Sequence, residues 1–408
     1  MSEFELLKSI CTSDNHVTAY NLYKNNRSHL SNYNIVIGSE FGADPGLSKN
    51  SILFQGFNVL NLFNNNKMLF LDKISIENLE LYGNDSIELL PRLLLDSQTV
   101  RYIEAYIKGR LPKFKIIFDY LVTSKNYDIN PYYFECVNKI SDILVAREIE
   151  QTLYYYEIMD SIDLQLYLNT GIINSELSEL EIQFKKNSDL DYIFNLKSDV
   201  NASAYLNNLY KTSYTLLLKM IDIQFNFGSS STSNKILLFL EFLDTQIYKM
   251  CAREMILSVL YFQKKNNLRF FKEIVLHRDG KKILSSLKRM AWDTAHIRFA
   301  ENNYIIGQGI GERYVIPSFL TNDSGLADII QKIPLKSIAI DTISNKTYPF
   351  YSIDYFNLIR DYSIDSNSIY TKYFSVESIS ARRDKLGNEK SNYLDNIIEE
   401  YEDAILSK

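Results

Sequence analysis

Two short apolar runs constrain this chain more than any other feature, because each stops on an aspartate and leads into a helical pattern. The first is Arg92–Leu95, apolar except for its arginine. It ends on Asp96, and Val100, Ile103, Tyr106 and Ile107 then recur at helical spacing. The second is Tyr314–Leu320, followed by Thr321, Asn322 and Asp323, after which Ser324 and Gly325 open another helix. Apolar runs of this length read as buried strands, and open α/β sheets keep their sites at the carboxyl ends of their strands. A third acid, Asp293, lies in MAWDTAHIRFAENN, within a helix expected over Lys281–Asn302. The chain is thus expected to be an α/β protein that gathers acids from distant segments.

Between these landmarks the chain reads as mostly helical. It has 408 residues but only 14 glycines and 7 prolines, which disfavours a β-sandwich. That length allows two or three domains, or one domain with large insertions. Residues 1–30 suggest short helices, and Tyr33–Ile37, Met68–Leu71 and Ser337–Ile340 suggest strands. The loop after Ile37 carries Lys49 but lacks the Gly-Lys pair of a phosphate loop. Phe114–Leu121 fits strand or helix. Asn130–Pro131 is a helix start, and that helix is expected to run from Pro131 to about Met159. Ser161–Asn226 stays helical with breaks near Gly171 and Asp199, and Asn234–Phe262 reads as one apolar helix at the centre of a bundle. Residues 342–380 show no clear period. From Asn388 the tail is an acidic amphipathic helix with Tyr393, Ile397 and Tyr401 on one face.

Charge and cysteine usage limit partners and compartment. The net charge of −6 gives no overall attraction to nucleic acid or to an anionic membrane, so a polyanion needs a local basic patch. Lys288, Arg289 and Arg298 are the candidates for one. The longest apolar run, Ile236–Leu240, is far shorter than a membrane span, and the N-terminal stretch has no apolar signal-peptide core. Cys11, Cys136 and Cys251 are far apart and odd in number, which suits small core residues in a reducing cytosol. The expectation is a soluble, cytoplasmic protein with no membrane partner. Its oligomeric state is not set by the sequence.

The acids suit one chemistry. Mg²⁺ or Mn²⁺ takes oxygen ligands, and three or four carboxylates brought together can hold one or two such ions against a phosphodiester. The pieces are Asp96, Asp293 and Asp323, with Glu135 near a helix start as the fourth and Glu148 or Glu150 as its alternatives. Plain structural roles compete. Asp96 and Asp323 each suit a helix N-cap, and one residue can do both. Asp293 follows Trp292, the only tryptophan, where a lone carboxylate is costly unless Arg289 or Arg298 pairs with it. Glu135 could be a solvated helix residue. His296 shares a helical face with Asp293 and could touch a phosphate or support the site, or be a satisfied, half-buried ring. His277 and Asp279 lack the companions of a kinase loop, and Gly307–Gly311 reads as a connecting loop.

Three stretches resemble the PIN domain, a family of metal-dependent ribonucleases. LLLDSQTVRYIEAYI resembles the family's first strand with its leading aspartate, here Asp96 followed by Ser97. MAWDTAHIRFAEN resembles its third acidic motif, here Asp293 with Ala295, and FLTNDSGLADI its fourth, here Thr321 and Asp323. The chain departs from the pattern at Gln98, where the family usually has Asn, and in the 197 residues (293 − 96) that separate Asp96 from Asp293. The resemblance implies an α/β, PIN-like parallel-sheet core with a large, mainly helical insertion and an N-terminal extension. The implied layout is an N-terminal extension over 1–85 and a core split between 86–159 and 268–345. A helical insertion would occupy 160–267 and a C-terminal extension 346–408. It further implies metal-dependent endonuclease activity on RNA, with DNA as the second candidate substrate, and Mg²⁺ or Mn²⁺ held by Asp96, Glu135, Asp293 and Asp323. The competing reading is a non-enzymatic helical scaffold whose acidic C-terminal helix binds a protein partner.

Overall fold

The computed structural model describes residues 3–44, 51–53, 56–82, 89–263, 268–276, 278–303, 314–389 and 392–407. Lys49, His277, the 307–311 loop and the boundary expected between residues 85 and 86 lie outside the described residues. Among the described residues, nine strands form two sheets: β1 Tyr33–Ser39, β2 Ser51–Leu53, β3 Phe57–Asn61, β4 Lys67–Leu71, β5 Leu89–Leu95, β6 Tyr127–Asp128, β7 Tyr314–Thr321, β8 Leu335–Asp341 and β9 Lys346–Tyr351. One sheet has the order β2-β3-β7-β5-β6, the other β4-β1-β8-β9.

Both aspartate-terminated runs become strands, and they pair with each other. β5 and β7 lie parallel, with Leu95 opposite Leu320, so Asp96 and Asp323 leave the same edge of the sheet. Alternation along a strand sends successive side chains to opposite faces. Leu93, Leu95 and Leu320 therefore enter one core with Val100 and Trp292, while Leu94, Ile316 and Phe319 enter another with the central helices. β7 is buried along its whole length, which explains why its sequence is a near-continuous apolar run rather than an alternating one.

The expectation of a parallel sheet is corrected. Only β6, β5 and β7 run parallel. β3 joins β7 antiparallel, β2 joins β3 antiparallel, and every pair in the second sheet is antiparallel. The reason lies in residues 1–85, expected as an extension. They supply β3 to the site-bearing sheet, and they supply β1 and β4 to the other, where β1 pairs with β8. Residues 346–408 likewise add β9 beside β8, and the helix Tyr393–Leu406 buries Leu394, Tyr401 and Ile405.

Two expected long helices are broken. The first divides into Asn130–Val137 and Ile143–Asp160, because Asp142 accepts hydrogen bonds from the Leu144 and Val145 amides and so caps a new helix. The second divides into Thr232–Phe242 and Ala252–Phe262, separated by a π-helical turn over Leu243–Ile247 and by Tyr248 in the left-handed region at φ 57°. Beside them, Gly280–Asn303 runs unbroken and buries thirteen of its residues, including Trp292, Ala295 and His296. No helix among the described residues is long and apolar enough to cross a membrane.

Candidate active site

The two strand ends fold as their sequence suggests. Asp96 has extended backbone angles and caps the helix Ser97–Ile107, its Oδ1 accepting from the Thr99 amide at 2.6 Å. Asp323 caps Ser324–Lys332, its Oδ1 accepting from the Gly325 and Leu326 amides at 2.5 and 3.0 Å. Thr321 ties the two together. Its hydroxyl donates to Asp96 Oδ2 and accepts from the Asp323 amide at 2.9 Å. The capping role is therefore real, and it also fixes both carboxyl groups at one place on the sheet edge.

Glu135 and Asp293 arrive from the helices that pack over this edge. All four acids line a single cavity of about 390 Å³, together with Ser97, Gln98, Arg101, Tyr102, Arg289, Trp292 and His296. The electrostatics reflect the crowding. Burial raises the Asp293 carboxyl well above the usual range, and the charges of Asp323, Asp96 and Glu135 raise it further, opposed by Arg289. Burial also raises Asp96, against hydrogen bonds from Thr321 and Thr99. At Glu135 burial pushes upward but loses to Lys139, the next residue along its helix face, and the carboxyl stays below the usual range. Arg101 approaches Glu135 at 3.9 Å.

The ion pair that would explain Asp293 structurally does not form. Arg289 bonds Glu273 at 2.7 Å, and Arg298 is committed to Glu254 in the interior. Arg298 is thereby removed from the expected basic patch. Lys288 and Arg289 do face a second cavity of about 570 Å³, lined also by Lys139, Lys281 and Tyr210, which shares Glu135, Arg289 and Trp292 with the acidic one. Tyr210 stacks on Trp292 with ring centroids 4.6 Å apart. Glu148 and Glu150, the alternatives to Glu135, are not on the acidic cavity; Glu150 instead pairs with Lys186. Arg101 was missed by sequence reasoning. A lone arginine one turn beyond Asp96 has no local signal that separates it from a solvated helix residue.

His296 is not the satisfied, half-buried ring that its sequence context allows. It is 6% exposed and packs against Trp292, and its Nε2 has no hydrogen-bond partner. Burial lowers the ring to about 4, which leaves it neutral at physiological pH.

The donor chemistry of this cavity, oxygen-rich and crowded with negative charge, suits a hard dication. The donors are not gathered into a finished shell. Among the described residues, no group of three or more His, Cys, Asp or Glu side chains stands ready to hold a metal ion. Several of the oxygens are instead turned to neighbouring donors: both of Asp96, Oδ1 of Asp323 and Oε1 of Glu135. No protein-family model, curated protein or solved structure matches the chain.

Proposed function

We propose that the chain is a PIN-like, metal-dependent endonuclease that hydrolyses phosphodiester bonds, with RNA as its substrate. The observation that carries this reading is the meeting of Asp96, Glu135, Asp293 and Asp323, from four separate segments, in one cavity. Acids whose charges raise one another, with no cation paired to Asp293, are costly to gather, and such costs are met at functional sites. Asp96, Asp293 and Asp323 would hold Mg²⁺ or Mn²⁺, with Glu135 completing the set. A bound ion would neutralise the acids and polarise the scissile phosphate. The chain's own cations serve the same end. Arg101 and Arg289 lie on the cavity wall, where a guanidinium can take a phosphate oxygen through paired N–H donors.

The adjoining cavity supports a nucleic-acid substrate. Lys139, Lys281, Lys288 and Arg289 offer backbone contacts, and the Tyr210–Trp292 stack offers an aromatic surface beside the acids. The scaffold reading has less support, because the acidic tail helix packs onto its own chain, Asp395 pairing with Lys211 at 2.6 Å and Glu402 with Lys288 at 2.9 Å. The test is cleavage of labelled single-stranded RNA and DNA with Mn²⁺, by the full chain and by Asp323→Ala. Cleavage of RNA by the native chain alone supports the reading. Equal cleavage by both removes the site assignment, and no cleavage of either polymer removes the activity.

A further inference from the structure

The left-handed turn at Tyr248 leaves Lys249, Met250 and Cys251 between two helices, on the wall of a further cavity of about 510 Å³. The helices Val200–Asn226 and Gly280–Asn303 supply other walls, through Asn208, Leu209 and Thr212 and through Arg298. The volume is that of a small-molecule site. Its charge is one-sided. The described residues that line it include two cations and no aspartate or glutamate, in a chain whose net charge is −6. Lys249 makes no hydrogen bond or ion pair with any described residue. Burial lowers its ammonium, and the charge of Arg298 lowers it further. An ionised Cys251 would oppose this, but burial pushes that thiol up to about 11 and keeps it protonated. The basic cavity beside the acids is different: Lys139, Lys288 and Arg289 there are paired with Glu135, Glu402 and Glu273.

We propose that this cavity binds the phosphate group of a small organic phosphate monoester, with Lys249, Arg298 and Asn208 as its donors. The site is separate from the acidic cavity and does not depend on the nuclease reading. A half-buried ammonium with no counter-charge and a second cation nearby is costly, and a bound anion removes that cost. The donors are free to take one. Arg298 gives Nη2 to Glu254, and its Nε and Nη1 make no bond to a described residue. Asn208 Oδ1 accepts from the Thr212 hydroxyl at 3.0 Å, which leaves the amide N–H groups for a ligand. Donors drawn from a turn and two helices suit the three terminal oxygens of a phosphate monoester better than the two coplanar oxygens of a carboxylate. Leu209 and Met250 offer apolar surface to the rest of the molecule.

The experiment is isothermal titration of the full chain with phenyl phosphate at low ionic strength, beside phenylacetate as a carboxylate of similar shape. The native protein is expected to bind phenyl phosphate, and to bind phenylacetate about tenfold more weakly or less. Lys249→Met is expected to weaken phenyl phosphate by about tenfold or more. Asn208→Asp is expected to abolish binding, because it sets a carboxylate among the cations in place of an amide donor. Asn208 is exposed on its helix, so this variant reads the site even if Lys249→Met does not fold. Binding by the native chain that falls in the folded variants upholds the site. Unchanged affinity in Asn208→Asp places the anion elsewhere and overturns it. Phenylacetate bound as tightly as phenyl phosphate overturns the assignment to phosphate, and no binding of phenyl phosphate by the native chain overturns the proposal.

Discussion

Two partly buried acidic clusters of the molecule are built on opposite plans. Glu157, Asp160 and Asp189 meet between the helices Ile143–Asp160 and Glu179–Ser198, where each acid is answered by a donor or a cation. Lys185 lies 3.1 Å from Glu157 and 3.0 Å from Asp160, and the hydroxyls of Tyr127 and Tyr133 donate to Asp160 and Asp189 at 2.9 and 2.8 Å. What remains is one acceptor too many: Glu157 Oε2 and Asp189 Oδ2 have no hydrogen bond. A proton on Glu157 resolves it. Burial and the neighbouring Asp189 push Glu157 up to about 7. At the sheet edge, by contrast, Asp293 faces three other acids, and Arg289 beside it is engaged with Glu273. Acids that hold a fold together are supplied with partners by the fold. Asp293 is given no such partner.

That contrast predicts opposite responses to substitution. The largest effect is on activity. Asp293→Asn and Asp323→Ala should each lower RNA cleavage by about a thousandfold, while Asp160→Asn should leave it within about twofold, as single-turnover assays with Mn²⁺ will show. Next in size is the loss of the structural cation. Lys185→Met leaves Glu157 and Asp160 without their partner and should cost about 1–2 kcal/mol by urea denaturation, a value reduced because Lys185 is 42% exposed. Asp293→Asn should instead raise stability in chelator, by about 0.5–2 kcal/mol, since it removes a charge that the other acids oppose. Destabilisation by that variant would place Asp293 with the structural acids.

The smallest effect is a pH slope. Folding raises Glu157 from 4.5 to about 7, so folding favours its protonated form. Its contribution is complete below pH 4.5 and is lost as pH rises through 7. Thermal midpoints should therefore fall over that window in the native chain, and the fall should be shallower in Glu157→Gln. An unchanged slope would show that Glu157 does not hold the proton.

The sheet-edge acids were legible because their signal is local. A buried strand, an aspartate and a helix start are contiguous in sequence, and the backbone needs a cap wherever the chain turns from one to the other. Asp293 was legible from its apolar neighbours. The direction of the strands was not. β3 is five residues long and lies beside a neighbour more than 250 residues further on, and nothing in FNVLN records that partner. The break at Tyr248 was hidden too, since the chain turns left-handed there without glycine or proline. His296 shows the limit most plainly. Its spacing from Asp293 places it on the right face, but the loss of a partner for Nε2 depends on how the interior, Trp292 included, closes around the ring. Packing, rather than spacing, decides that.

The register of β5 with β7 also sets a clock. Thr99 reaches across 221 residues to bond the Leu320 carbonyl, and Asp96 meets Thr321 at the same junction. A chain made at about 5–20 residues per second waits roughly 10–45 s between the two strands. Throughout that interval Asp96 has no Asp323 beside it. On the proposed function, the cutting site is assembled only once the second strand has followed the first out of the ribosome.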